Sequence, residues 1–146
     1  MTCDASDRTV LLIGPGELPD ATQRALQSAG ARVTRLQQPS DADVHRALSE
    51  QVESVIVFSR DDAVALRLAL IVENIRPGIP LVVTVDSWIV TAQLKRAAKN
   101  IRVTSMAHIV APTLAAACLE DSLLWVQRTS EGFSGVRAEG GHPQFV

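Results

Sequence analysis

Five short aliphatic runs recur along the chain with helix-like stretches between them: Thr9–Ile13, Arg32–Leu36, Ser54–Phe58, Leu81–Val85 and Ile101–Thr104. Runs this short and this rich in Val, Ile and Leu read as strands, and a strand that returns after each helical stretch is the sequence form of βαβ units. Such crossovers are right-handed, which leaves few topologies. The expectation is an α/β chain: a doubly wound parallel sheet in strand order 3-2-1-4-5, with helices on both faces. Composition agrees. Hydrophobic residues make up 47% of the 146 residues but aromatics only 3%, with no Tyr. The core must therefore be aliphatic, as in parallel sheets buried on both sides.

The helical stretches carry their own punctuation. Pro19 and Asp20 open the first and Gly30 closes it, because proline suits a first turn, an acid suits the positive helix end and glycine suits the cap. Ser40 with Asp43 three residues on predicts a capping arrangement for a second helix, running to about Gln51. The third, Asp62–Ile75, stops before the Pro77-Gly78 turn signal, and its middle is apolar on nearly every face except Arg67. The fourth spans Ser87 to Ala98. The fifth region, Ala107–Gln127, is apolar around Pro112, which predicts a break there, with helix resuming over Ala115–Leu119 and Leu123–Val126. From Thr129 to the C-terminus, Gly132, Gly135, Gly140 and Gly141 dominate. The expected organisation is a polar N-terminal tail at 1–8, one α/β domain at 9–128 and a flexible tail or linker at 129–146.

Several function classes are disfavoured. A formal charge of −2 supplies no field for nucleic acid. No apolar run approaches the roughly 20 residues of a membrane-spanning helix, so direct membrane insertion is not expected. Cys3 and Cys118 lie far apart and fit neither a disulfide framework nor metal spacing, and residues 1–8 are polar and acidic rather than signal-like. A reduced, cytoplasmic setting is the expectation. His45 in a polar helix and His142 in the tail do not read as catalytic, His108 beside Met106 and Ile109 reads as a packing or interface residue, and Cys118 between Ala117 and Leu119 reads as a small buried hydrophobe. Asp61 and Asp62 alone make no metal site, and helix capping is the favoured reading for them. No enzymatic activity and no metal are expected.

The informative stretch is Leu11-Leu12-Ile13-Gly14-Pro15-Gly16-Glu17-Leu18-Pro19, a strand that runs into a glycine turn and then a helix. In dinucleotide-binding, Rossmann-type folds this turn reads G-x-G-x-x-G, and an acid about 20 residues on binds the ribose. Gly14 and Gly16 fill the first two glycine places. Pro19 stands in the third, and Gln37 stands where the acid is expected.

The chain resembles the RCK, or TrkA-N, family of regulatory domains from potassium channels and transporters over about Thr9 to Leu119. Four pieces carry the resemblance: the Gly14-Pro15-Gly16 turn, Phe58-Ser59-Arg60-Asp61-Asp62, Ile75-Arg76-Pro77-Gly78-Ile79-Pro80, and the apolar helix around Ala111-Pro112. The resemblance implies NAD or an adenine nucleotide at the glycine turn, pairing through the last helices and rings that gate a pore. Candidate ligand-contact residues are Gly14, Gly16, Glu17, Leu18, Gln37, Ser59 and Arg60. The departures fall on that same site. Besides Pro19 and Gln37, Glu17 places a carboxylate where an anion would bind. Thr84 takes the place of a phosphate-binding Arg, and Ala65 that of an Asn.

The reading is a regulatory, ligand-sensing or assembly domain with a degenerate nucleotide site and no firmly assigned cofactor. It would act as a homodimer or larger ring through its C-terminal helices, with a channel or transporter subunit in the same chain or another. Ile109, Leu114 and Cys118, with Trp88 or Trp125, are the expected interface residues. Two alternatives stand beside it. One is the NAD-binding domain of an oxidoreductase, for which no substrate domain is present. The other is a receiver-like signalling domain, which wants acids where Gly14-Pro15-Gly16 lies.

Overall fold

The computed structural model describes residues 7–140 and 142–146. Residues 1–6, with Cys3 and most of the expected polar tail, lie outside the described residues, as does Gly141. The chain forms two compact units, divided after Thr104.

The first unit alternates strand and helix throughout: β1 (Thr9–Ile13), α1 (Glu17–Ser28), β2 (Arg32–Leu36), α2 (Asp41–Leu48), β3 (Ser54–Val57), α3 (Asp62–Ile75), β4 (Leu81–Thr84), α4 (Trp88–Ala97) and β5 (Ile101–Thr104). All five strands pair in parallel. This is the doubly wound parallel sheet read from the sequence, in a different order. The strands run β2-β1-β3-β4-β5 rather than 3-2-1-4-5.

The reason for the correction lies in the strands themselves. β2 carries Arg32 and Arg35 and has no fully buried residue, whereas β3 alternates onto buried Val55 and Val57. A strand bearing two arginines belongs at an edge, and the Val/Ile strand belongs beside β1. The result matches the dinucleotide-fold order without its outermost strand. The point where the connection reverses lies between β1 and β3, and ligands of open α/β sheets bind at such a point.

Leu11, Ile13, Val55, Val57, Leu81 and Val83 form one core with Val44 and Leu48 of α2 and Ala65, Leu68 and Val72 of α3. The helix starts are capped as their sequences require. Ser40 and Asp43 close a reciprocal capping box on α2, Asp61 accepts from the amides of Ala63 and Val64, and Ser87 accepts from Val90. Arg76 ties down the α2–β3 connection by donating to the carbonyls of Leu48, Glu50 and Val52.

The second unit is α5 (Met106–Leu119) followed by β6 (Leu123–Thr129), β7 (Gly132–Glu139) and β8 (His142–Phe145), an antiparallel sheet in that order. Three expectations are corrected here. α5 runs through Pro112 without a break. Leu123–Val126 is strand, because Leu-Leu-Trp-Val has a partner in β7 and a two-residue turn, Ser130-Glu131, to reach it. The 129–146 segment is no flexible tail in the structure, since it supplies two strands. Its glycines serve the sheet. Gly132 holds φ 134° at the hairpin, and a Cβ on Gly135 would lie 2.9 Å from the Trp125 carbonyl oxygen.

Candidate functional site

The carboxyl ends of β1, β2 and β3 meet at the reversal point and border a cleft of about 270 Å³. Ile13, Gly14 and Pro15 come from the end of β1, Gln37, Gln38 and Pro39 from the end of β2, and Phe58 and Ser59 from the end of β3. Val64 and Leu68 of α3 complete the lining.

Gly14 is required twice over. Its φ is 129°, and a Cβ there would lie 2.2 Å from the Phe58 carbonyl oxygen. The β1 turn and the β3 end are thus in direct backbone contact. Two bonds extend the ladder past the strands, from Gly14 N–H to Leu36 O and from Phe58 N–H to Ile13 O, both 2.8 Å. Gly16 differs. It is the N-cap of α1 with φ 112°, no side chain caps that helix, and the space around its Cα is open. Pro19 is the third helical residue and is buried. It contributes no N–H to the helix start.

Arg35 holds this turn, a role that the sequence reading missed. Its Nε and Nη2 donate to the Gly14 carbonyl oxygen at 3.0 and 2.7 Å. Nη1 lies 3.0 Å from Asp20 Oδ1 and 3.3 Å from Gln23 Oε1 of α1. The guanidinium fork thereby joins β2, the turn and α1. The available signal was an arginine inside β2, 21 residues after Gly14, with an acid in the intervening helix α1.

Three polar groups near the β3 and β4 ends are committed to the fold. The Ser59 hydroxyl donates to the Asp61 carbonyl and accepts from its amide, at 2.9 and 3.1 Å. Asp62 accepts from the amides of Asp86 and Ser87 at 3.2 and 2.6 Å. The buried Thr84 hydroxyl donates to Val57 O and accepts from Ser59 N–H, both at 3.4 Å.

Of the seven candidate residues, Gly14, Gln37 and Ser59 are brought together on the cleft. Gly16, Glu17 and Leu18 form the adjoining helix start, with Glu17 exposed and the Leu18 carbonyl accepting from Thr22 Oγ1. Arg60 is exposed in the following loop and is not part of the lining. Cys118, read as buried, is exposed on α5. A larger groove of about 410 Å³ runs between α2 and α3 over Leu70, Ile71 and Ile75, with the Asp41–Arg67 ion pair and His45 beside it. Among the described residues no cluster of His, Cys, Asp and Glu could hold a metal ion.

No protein-family model matches the chain, and no curated protein sequence does. Solved structures do. The GsuK structure bound to ADP superposes with a TM-score of 0.65 at 18% identity, covering 81% of this chain and 36% of that one. The GsuK channel bound to NAD gives 0.63 at 17% identity, covering 84% and 26%. The GsuK RCK domain gives 0.63 at 21% identity, covering 84% and 31%. The chain thus spans about a third of the length of these relatives. At these identities the likeness shows the fold alone: a parallel α/β sheet of the kind these structures contain.

Proposed function

We propose that the chain is a non-enzymatic, cytoplasmic regulatory domain that senses a ligand or builds an assembly for a potassium channel or transporter. The observation that carries this reading is the RCK-like fold, with a glycine turn and a cleft at the reversal point of the sheet. The fold likeness to a channel described with ADP and with NAD supports a ligand role for that cleft. Gly14, Gly16, Glu17, Leu18, Gln37, Ser59 and Arg60 are its proposed contact residues. The nucleotide site is degenerate in this reading, because Pro19 removes an amide from the helix start and Glu17 adds a carboxylate to it. Assembly runs through α5, whose exposed apolar side chains want a partner. That partner is a second copy or a ring of copies, joined to a channel subunit in the same chain or another. No helix among the described residues is long and apolar enough to cross a membrane.

The strand order gives the receiver-like alternative one point in its favour, since flavodoxin-type sheets share it. The site chemistry goes against it. The β3 end presents Phe58 and Ser59, and Asp61 and Asp62 are both engaged by backbone amides. The test is potassium transport in cells that lack the chain, followed by rubidium uptake. Altered uptake restored by the chain is expected. Unchanged uptake would overturn the reading, and nicotinamide-dependent turnover by the purified chain would favour an oxidoreductase.

A further inference from the structure

The departures at the reversal point do not fall evenly over a nucleotide. Where a pyrophosphate would lie, α1 opens with Glu17, carries Asp20 in the same turn and has Pro19 as its third residue. An anion at a helix start is held by backbone N–H groups and the positive helix end. Here one donor is missing, and the exposed Glu17 carboxylate stands in the first turn beside Asp20, whose charge Arg35 offsets. The guanidinium that touches the turn is spent on the Gly14 carbonyl and on Asp20. Thr84 turns its hydroxyl into the sheet.

The sugar and base side is different. Ile13, Phe58, Val64 and Leu68 give the cleft apolar walls, the exposed Gln37 and Gln38 border it from the end of β2, and none of its lining residues is charged. An amide both donates and accepts, so it can pair with a ribose hydroxyl or a base edge without any charge. The volume of about 270 Å³ falls just below the roughly 300–1,000 Å³ of sites that enclose drug-sized ligands. That accommodates a base with its sugar.

We infer that the cleft binds an uncharged nucleoside through Gln37 and Gln38 and discriminates against the phosphorylated forms of the same molecule. The inference rests on the cleft being the ligand site of the regulatory domain proposed above. Titration calorimetry of the whole chain tests it with adenosine, guanosine, cytidine and uridine, their mono- and diphosphates, and NAD. One nucleoside binds at least tenfold tighter than its diphosphate, with the monophosphate between them. Added salt narrows that gap by improving the diphosphate, because screening weakens repulsion; a true phosphate site responds in the opposite direction. Glu17→Gln improves the diphosphate severalfold and leaves the nucleoside unchanged. Gln37→Ala weakens the nucleoside at least fivefold, and an unchanged thermal midpoint shows that the fold is kept. A diphosphate or NAD that binds as tightly as any nucleoside overturns the inference. So does the absence of binding by all four nucleosides at millimolar concentration. Rubidium uptake that still depends on the chain would in that case leave the regulatory reading standing.

Discussion

Gly14 and Gly16 sit two residues apart in one turn, yet they are glycines for different reasons. Both hold φ values that only glycine adopts without strain, which for another residue is worth roughly 1–3 kcal/mol. Only Gly14 also meets backbone, at 2.2 Å from the Phe58 carbonyl oxygen. Gly16→Ala should therefore cost about 1–3 kcal/mol in urea denaturation, and Gly14→Ala clearly more; equal losses would show that the β1–β3 contact is not what fixes the turn. The glycines were legible because their spacing after a strand is diagnostic. Arg35 was not, because its function depends on which strands are neighbours. Its side chain is only 11% exposed, against 52% for Asp20. Arg35→Met should lose about 2 kcal/mol, as for hydrogen bonds made by a charged group. The Arg35–Asp20 coupling in a double-mutant cycle should stay within the ~1 kcal/mol of an exposed pair. A larger coupling would move the role of Arg35 from the turn carbonyl to the ion pair.

Among the elements, α2 shows how far local chemistry reaches. The Ser40–Asp43 box was readable from spacing alone, and the structure closes it in both directions. The Ser40 hydroxyl and backbone amide hold the Asp43 carboxyl below its ordinary value of 3.8. A carboxyl depressed in the folded state contributes stability above that ordinary value and loses it as pH falls through the lower folded value. Ser40→Ala should destabilise by about 1 kcal/mol at neutral pH, as for a lost N-cap. The difference from the parent should shrink below about pH 4, and thermal melts across that range check it; a constant difference would show that the carboxylate is not involved. Leu123–Val126 marks the opposite limit. Four apolar residues cannot choose between helix and strand by periodicity. The choice is made by β7, which aligns Trp125 with Val136 and Val126 with Gly135. The glycines that suggested a loose tail are there for a hairpin and a close backbone approach.

At the scale of the molecule, alternation of strand and helix was enough for the sheet class, and the arginines of β2 held the unused clue to its order. What the chain does with α5 is the largest remaining consequence. Among its residues only Ala116 is buried, although β6 lies along it. Leu114 is 61% exposed and Leu119 70%, and Met106, Ile109 and Val110 are exposed as well. Apolar area removed from water is worth roughly 25 cal/mol per Å², so a helix with this many open side chains is a strong association site. A two-fold pair places the same helix on both sides of the contact, and the spacing of Val110, Leu114 and Cys118 by fours puts these three on one side of it. The chain should therefore run as a dimer in light scattering at tens of micromolar. In a Cys3→Ser background, Cys118 should crosslink to its copy through a short bismaleimide. Leu114→Asp should abolish both signals and leave circular dichroism unchanged, because the side chain it replaces contributes little to either unit alone. A parent chain that scatters as a 15.7 kDa monomer would rule out pairing of copies through α5. The open face would then have to be covered by a different chain, which in the proposed function is the channel or transporter subunit itself.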